Sequence, residues 1–322
     1  MSIGIIRAGI LDTIQDTGRF GWRQLGINPG GAMDLISAQL ANILAGNDKN
    51  DAVIEIHFPG SVYQFEQPAI IVITGADFYP TVNEKAIALN QPVVVSEFSI
   101  LRFTHPGSRA RCYLAIAGGF DIPKWLGSYG THLKAQAGGF NGRRLLKNDQ
   151  IPFRRKKHSS KLSHERKTIN GINIPGIEDQ LGDEIQFIPG PEWEMLSDES
   201  RSLLIKEEFN IQLSSDRMGY RLSGPALMRS RQDEMVSSPV ALGTIQLLPD
   251  GQLIVLMADH QTTGGYPRIG CIITAHLPLL AQKNPGDHIR LKECNVRDAE
   301  FLIIGQQEYL STLEKQIQNR DQ

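Results

Sequence analysis

Residues 243–260 read GTIQLLPDGQLIVLMADH. Two apolar runs flank a Pro-Asp-Gly turn. Proline presets the first turn φ and glycine accepts a positive φ, so the stretch predicts a β-hairpin. Directly after Asp259 the character changes. HQTTGGYPRIG (260–270) replaces core residues with two threonines, two glycines, a tyrosine and a proline. Asp259 ends the apolar strand, where a side chain emerges at the rim. Gln261, Thr262 and Thr263 supply donors and acceptors, Gly264 and Gly265 expose backbone, and Tyr266-Pro267 forms a rigid aromatic lip. Two readings stand: an oxyanion-type cradle, or a tight turn whose threonines cap their own backbone.

Outward from this hairpin the chain punctuates itself as strands. IEIHFPG (54–60), AIIVITGAD (69–77), QPVVVSEFSILRF (91–103), ARCYLAIAGGFD (110–121), DEIQFIPG (183–190) and GDHIRLKE (286–293) read as strands, the first four rich in β-branched and apolar residues with Gly, Pro or Asp at their boundaries. Helices are few. MDLISAQLANILAGN (33–47) sets Ile36, Leu40, Ile43 and Leu44 on one face, with Asp34 to cap its start and Gly46 to end it. Further helices are predicted over 197–209, 274–282 and 298–319. A mostly-β chain with a few covering helices is α+β or barrel-like, not a βαβ nucleotide fold.

Short patterns recur. KNDQIPF (147–153), LGDEIQF (181–187) and PGDHIRL (284–290) each place Asp two residues before Ile in a turn-then-strand setting. DTGRFGWRQLG (16–26) echoes SDRMGYRLSG (215–224). Two lobes of one β topology would explain both echoes; chance matching of turn signals is the competing reading. The expected organisation is a first lobe over 1–153, an exposed basic connection over 154–171, a second lobe over 172–297 and a C-terminal helix over 298–322.

At 322 residues with 41 % hydrophobic and 21 % charged residues, the chain can bury a large core. A formal net charge of -2, and a basic stretch without interleaved aromatics, argue against a nucleic-acid partner. Cys112, Cys271 and Cys294 show no C-x-x-C spacing, which fits small buried hydrophobes in a reducing cytoplasm. No signal peptide or membrane-length apolar run is apparent. No standard P-loop, H-E-x-x-H or G-x-S-x-G is present, and the eight histidines lack metal-ligand spacing, so no metal is expected.

Two further stretches can hold chemistry. TIQDTGRFGWRQLGINPGGAMD (13–34) combines Gln15, Asp16 and Arg19 with five glycines and leads into the capped helix. Gly30-Gly31 before a helix start can present N–H groups to an anion, and Arg19 can fork onto a carboxylate or phosphate. An Asp–Arg pair buttressing a turn competes equally. AGGFDIPKWLGSYGTHLKAQAGGFNGRRLL (117–146) has seven glycines; it reads as a long ordered loop approached closely by backbone or ligand, or as plain flexibility.

QDTGRFGW, GGAMD, LANILAGND, YLAIAGGFDIP, LGSYGTHL, SSDRMGYRLSGP and MADHQTTGGYPRIG together resemble the biotin-dependent carboxyltransferase family, in order from residue 5 to about 292. That family includes the C subunit of bacterial 5-oxoprolinase, the KipI antagonist KipA, allophanate hydrolase subunit 2-like proteins and the carboxyltransferase region of urea amidolyase. The resemblance implies two cyclophilin-like β-barrel lobes facing each other across a cleft. It implies that Gln15, Asp16, Arg19, Asp34, Asn42, Arg217, Gln246, Asp259, Thr262, Thr263, Gly264, Gly265 and Tyr266 line that cleft. Asp16, Arg19, Arg217 and Asp259 are then the expected catalytic set, and the others bind substrate. Two departures stand out: Gly130-Thr131-His132-Leu133 where the family reads S-T-D-L, and His260 where it has arginine.

A chain of this length resembles the family's stand-alone C subunits, which act with a KipI-like B subunit and a LamB/YcsF-like A subunit on a small molecule. The implied activity is ATP-dependent cleavage of 5-oxoproline to glutamate, with ATP used by the complex. The alternatives are a carboxyltransferase using carboxybiotin on a urea-like or amide substrate, and a non-enzymatic regulator that captures KipI. No lysine here has Met-Lys-Met surroundings, so covalent biotin on this chain is not expected.

Overall fold

The structure, a computed structural model, describes residues 1–154, 184–230 and 235–320. The basic stretch expected at 154–171 lies outside them except for Arg154. The described residues fall into two compact units. One comprises 1–19, 30–154 and 310–320; the other comprises 20–29, 184–230 and 235–309. The chain therefore crosses over: residues 20–29, expected within the first lobe, group with the second unit. Non-local hydrogen bonds are the reason. Arg23 Nη2 donates to the Val240 carbonyl and Asn28 Nδ2 to the His260 carbonyl, 3.1 Å away.

In the first unit the strands form a six-stranded and a five-stranded sheet. Alternation sends Ile3, Ile5, Tyr63, Phe65 and Leu101 of one sheet, and Ile54, Ile56, Ile71, Ile73 and Leu114 of the other, into one core. The helix Leu35–Ala45 packs on strands Ala69–Gly75 and Arg111–Ile116. Asp34 caps it by accepting from Ser37 N at 2.9 Å, and Gly46 ends it in the left-handed conformation. Both caps match the sequence expectation.

In the second unit seven strands close into a barrel. Thr244–Leu247 and Leu253–Leu256 pair antiparallel across the Pro249–Gly251 turn, as the opening stretch predicts. The barrel also holds Glu184–Pro189, Glu208–Ile211, Gly219–Ser223, Arg268–Ile272 and His288–Glu293. Phe187, Phe209, Tyr220, Leu222, Leu253, Val255 and Ile289 fill its interior. The helix predicted over 197–209 stops at Lys206, and Glu208 opens a strand instead. The mostly-β architecture is thus as read. Among the described residues no helix is long and apolar enough to cross a membrane.

The sequence echoes have structural counterparts. Asp149 accepts from Leu146 N and Asp287 from Asn284 N, each at 2.7 Å, and each closes the turn before a strand. The third copy lies partly outside the described residues. In the longer echo, Asp16 Oδ1 accepts from Gly18 N and Asp216 Oδ1 from Met218 N, both at 2.8 Å, so each acid makes the same side-chain turn.

Candidate functional site

Two clusters gather most of the expected site residues, one in each unit. In the first unit, strand Thr13–Gln15 delivers Gln15, Asp16 and Arg19 to the Gly-rich loop. Asp16 accepts from Gly18 N, from Ser128 Oγ at 2.7 Å and from Tyr129 N at 2.6 Å. Arg19 is buried; its Nη2 donates to the Gly130 carbonyl and its guanidinium lies 4.8 Å above the centre of the Trp125 ring. Gln15 Nε2 donates to Thr13 Oγ1 at 3.0 Å. The loop is ordered by backbone approach, as the glycine count suggested. A Cβ on Gly139 would lie 1.9 Å from Thr131 Oγ1, and one on Gly138 would lie 2.3 Å from the Gly130 carbonyl oxygen.

The helix start does not wait for an outside anion. Ala32 N donates to the Asp16 carbonyl, Met33 N to Glu55 Oε2 and Asp34 N to Tyr113 Oη, each at 2.8 Å. Glu55 is fully buried, so these helix-start donors are met by groups of the chain itself. Asp34 serves as the cap. Asn42 ties the helix to its flanks, donating to the Asp51 carbonyl at 2.7 Å and accepting from Asn47 Nδ2 at 3.1 Å. Both residues have framework bonds.

In the second unit the strand Leu253–Leu256 runs on through buried Met257 and Ala258 to Asp259, where the chain again reaches solvent. Arg217 forks onto it: Nε to Oδ2 at 2.8 Å and Nη2 to Oδ1 at 3.0 Å. Asp259 N also donates to the Arg217 carbonyl at 2.8 Å, so backbone and side chains fix the pair together. Each carboxylate oxygen keeps a second lone pair for a substrate proton.

Beyond Asp259, Thr263–Gly264 pairs with Ser238–Pro239 in a two-stranded ribbon, and Val240 N donates to the Thr262 carbonyl at 3.1 Å. Neither Gly264 nor Gly265 has a positive φ. Gly264 is needed for room, because a Cβ there would lie 2.5 Å from Gln246 Nε2. Gln246 is buried, and its Nε2 has no hydrogen-bond partner among the described residues. The cradle is thus a ribbon with an amide donor beneath it; Gln246 and half-exposed Tyr266 line one hollow, and Thr262 and Thr263 line another.

The two departures are both accommodated. His260 is buried with Nδ1 2.5 Å from the Gln261 carbonyl, and burial lowers its pKa, so the ring is neutral. His132 Nδ1 accepts from Ala135 N at 3.1 Å, and the ring meets Trp125 edge-on. Sequence reasoning did not single out Trp125, Ser128, Arg23 or Asn28. For Trp125 and Ser128 the available signal was their place in the glycine-rich stretch; nothing local marks Arg23 or Asn28.

The family model described as carboxyltransferase domain, subdomain A and B, matches residues 25–293. The chain is 36 % identical to the C subunit of 5-oxoprolinase from Escherichia coli (strain K12), over 98 % of this chain and 99 % of that one. It is 34 % identical to the protein of the same name from Haemophilus influenzae, over 96 % of each. In three dimensions it superposes on the K. lactis urea amidolyase with a TM-score of 0.87 and 26 % identity, covering 97 % of this chain but 20 % of that one.

Proposed function

Because the chain belongs to the carboxyltransferase domain family, subdomains A and B, we propose that it is the C subunit of an ATP-dependent 5-oxoprolinase. On this reading it acts with a B and an A subunit to open 5-oxo-L-proline to L-glutamate. The observation that carries the proposal is end-to-end correspondence with the two 5-oxoprolinase relatives, beside a match to only a fifth of the urea amidolyase chain.

Opening a lactam breaks its C–N bond. One water gives its oxygen to the carbonyl carbon and a proton to the leaving nitrogen, and a second is consumed as ATP is cleaved to ADP and phosphate, which drives the step. Asp259 takes the proton from water and passes it to the nitrogen, with Arg217 holding its orientation. Gln246 Nε2 receives the charge that develops on the carbonyl oxygen. Asp16 accepts from Ser128 and Tyr129 of the Gly-rich loop and Arg19 Nη2 donates to its Gly130 carbonyl, and we assign both to holding that loop rather than to proton transfer.

The test is co-expression with the neighbouring B- and A-type subunits and assay of glutamate release from 5-oxoproline. ATP-dependent glutamate that disappears when this chain is left out supports the reading. A stable complex without turnover rejects it. The family description and the urea amidolyase likeness favour carboxyl transfer from carboxybiotin as a second reading. It requires a biotinylated partner, which avidin capture from the native host would recover.

A further inference from the structure

On the outer face of the barrel, three strands place one row of side chains side by side. Arg221 lies directly opposite Ile254, and Ile254 directly opposite Gln246. Directly opposed residues share a face, so Arg221 and Gln246 stand two strand spacings apart, roughly 10 Å between Cα atoms. Both line one hollow of about 570 Å3, together with Ile254, Asp216 and Tyr266. Its polar groups are not satisfied by one another. Gln246 Nε2 is a buried donor without an acceptor. Among the described residues no acid pairs with the Arg221 guanidinium, which is exposed. Asp216 uses Oδ1 for its turn, accepting from Met218 N and Gly219 N, and keeps Oδ2.

A cation, a neutral amide donor and the carboxylate of Asp216, with Asp250 a second acid on the same lining, around an apolar floor describe a ligand. It has a carboxylate, a carbonyl oxygen, a donating N–H and a small hydrocarbon frame. A five-membered lactam bearing a carboxylate has all four; urea has neither carboxylate nor frame. We propose that this hollow is where the chain reads its substrate. Arg221 takes the carboxylate, Gln246 Nε2 donates to the lactam oxygen, Asp216 Oδ2 accepts from the ring N–H, and Ile254 and Tyr266 pack on the ring. This rests on the lactam reading above and adds Arg221 and Asp216 to it as specificity determinants. Arg221 lies on an exposed face, so replacing it spares the core.

The experiment uses the assembled complex, with 5-oxoproline as substrate and 2-pyrrolidinone, the same ring without the carboxylate, as competing inhibitor. Arg221→Met is expected to raise KM for 5-oxoproline by roughly ten- to a hundredfold. It leaves kcat and the inhibition constant of 2-pyrrolidinone within about twofold, and Arg221→Lys restores part of the loss. Gln246→Met is expected to weaken both ligands alike, since both present the lactam oxygen. An unchanged KM in Arg221→Met, or equal weakening of both ligands by it, overturns the proposal while leaving the reaction reading in place. Should wild-type complex release no glutamate, the reaction reading fails. Direct titration of the two lactams into the full chain then decides the subsite by the same contrast.

Discussion

Asp16 and Asp259 each sit near an arginine in a well-packed neighbourhood, and their surroundings differ in kind. Asp16 accepts three hydrogen bonds from Gly18, Ser128 and Tyr129, while Arg19 turns to the Gly130 carbonyl and the Trp125 ring. Asp259 meets Arg217 in a two-pronged pair at the end of a strand, next to a ribbon with a buried unmet donor beneath it. In the first neighbourhood the acid is committed to the loop, although Gln15 Oε1 is buried without a hydrogen-bond partner among the described residues. The second leaves a carboxylate and an amide with something still to bind. Residue type is therefore a poor guide to role; the number of hydrogen bonds already committed is a better one.

The largest contrast is expected between the two arginines. Arg217→Lys keeps the charge but loses the fork, and should lower kcat of the complex by roughly ten- to a hundredfold. Arg19→Lys should leave kcat per folded molecule within about twofold and lower stability in urea by about 1–2 kcal/mol. Equal kcat losses for both would erase the distinction.

The glycines give a second contrast. Gly139 combines a φ of +55° with a Cβ position 1.9 Å from Thr131 Oγ1, so Gly139→Ala should cost about 1–3 kcal/mol of stability. Gly264→Ala meets chiefly the Gln246 amide and no adverse φ. It should shift the unfolding midpoint little and raise KM severalfold. Kinetics and melting curves on both variants distinguish the cases, and a Gly264→Ala protein that unfolds without any change in KM breaks the comparison.

The smallest expected effect separates the barrel's own polar framework from its rim. His276 is buried, with Nδ1 accepting from Gln186 N at 3.1 Å, and desolvation lowers its pKa to about 4. Between pH 6.5 and about 4 the unfolded chain binds this proton and the folded chain does not. The stability contribution is thus complete above pH 6.5 and is lost as pH falls towards 4. His276→Asn, which keeps an acceptor, should show a shallower fall in urea stability over that window than the wild type. Identical slopes would remove His276 from the account.

Much of this was legible in the sequence. The 243–260 hairpin declared itself through a preset turn between two apolar runs, and the helix Leu35–Ala45 through Asp34 and Gly46, because such signals are local. The Asp259 rim followed from the same strand. What stayed hidden depends on partners far along the chain. Ser128 lies 112 residues from the acid it holds, and Asn28 lies 232 residues from the carbonyl it grips. Residues 20–29 crossed to the second unit for that reason, and two of Asp16's three donors, Ser128 and Tyr129, were equally out of sight. Gly264 read as exposed backbone; the clearance it leaves above Gln246 depends on a strand the local sequence does not show.

One pair of variants tests the central claim most directly: Asp259→Asn and Asp16→Asn, each in the reconstituted complex, with ATP-dependent glutamate release and the urea midpoint read on the same samples. The account predicts that Asp259→Asn loses at least roughly a hundredfold in kcat with a nearly unchanged midpoint. Asp16→Asn should keep kcat per folded molecule and lose about 1–3 kcal/mol of stability. Abolished turnover in Asp16→Asn at full stability, with Asp259→Asn still active, would contradict it.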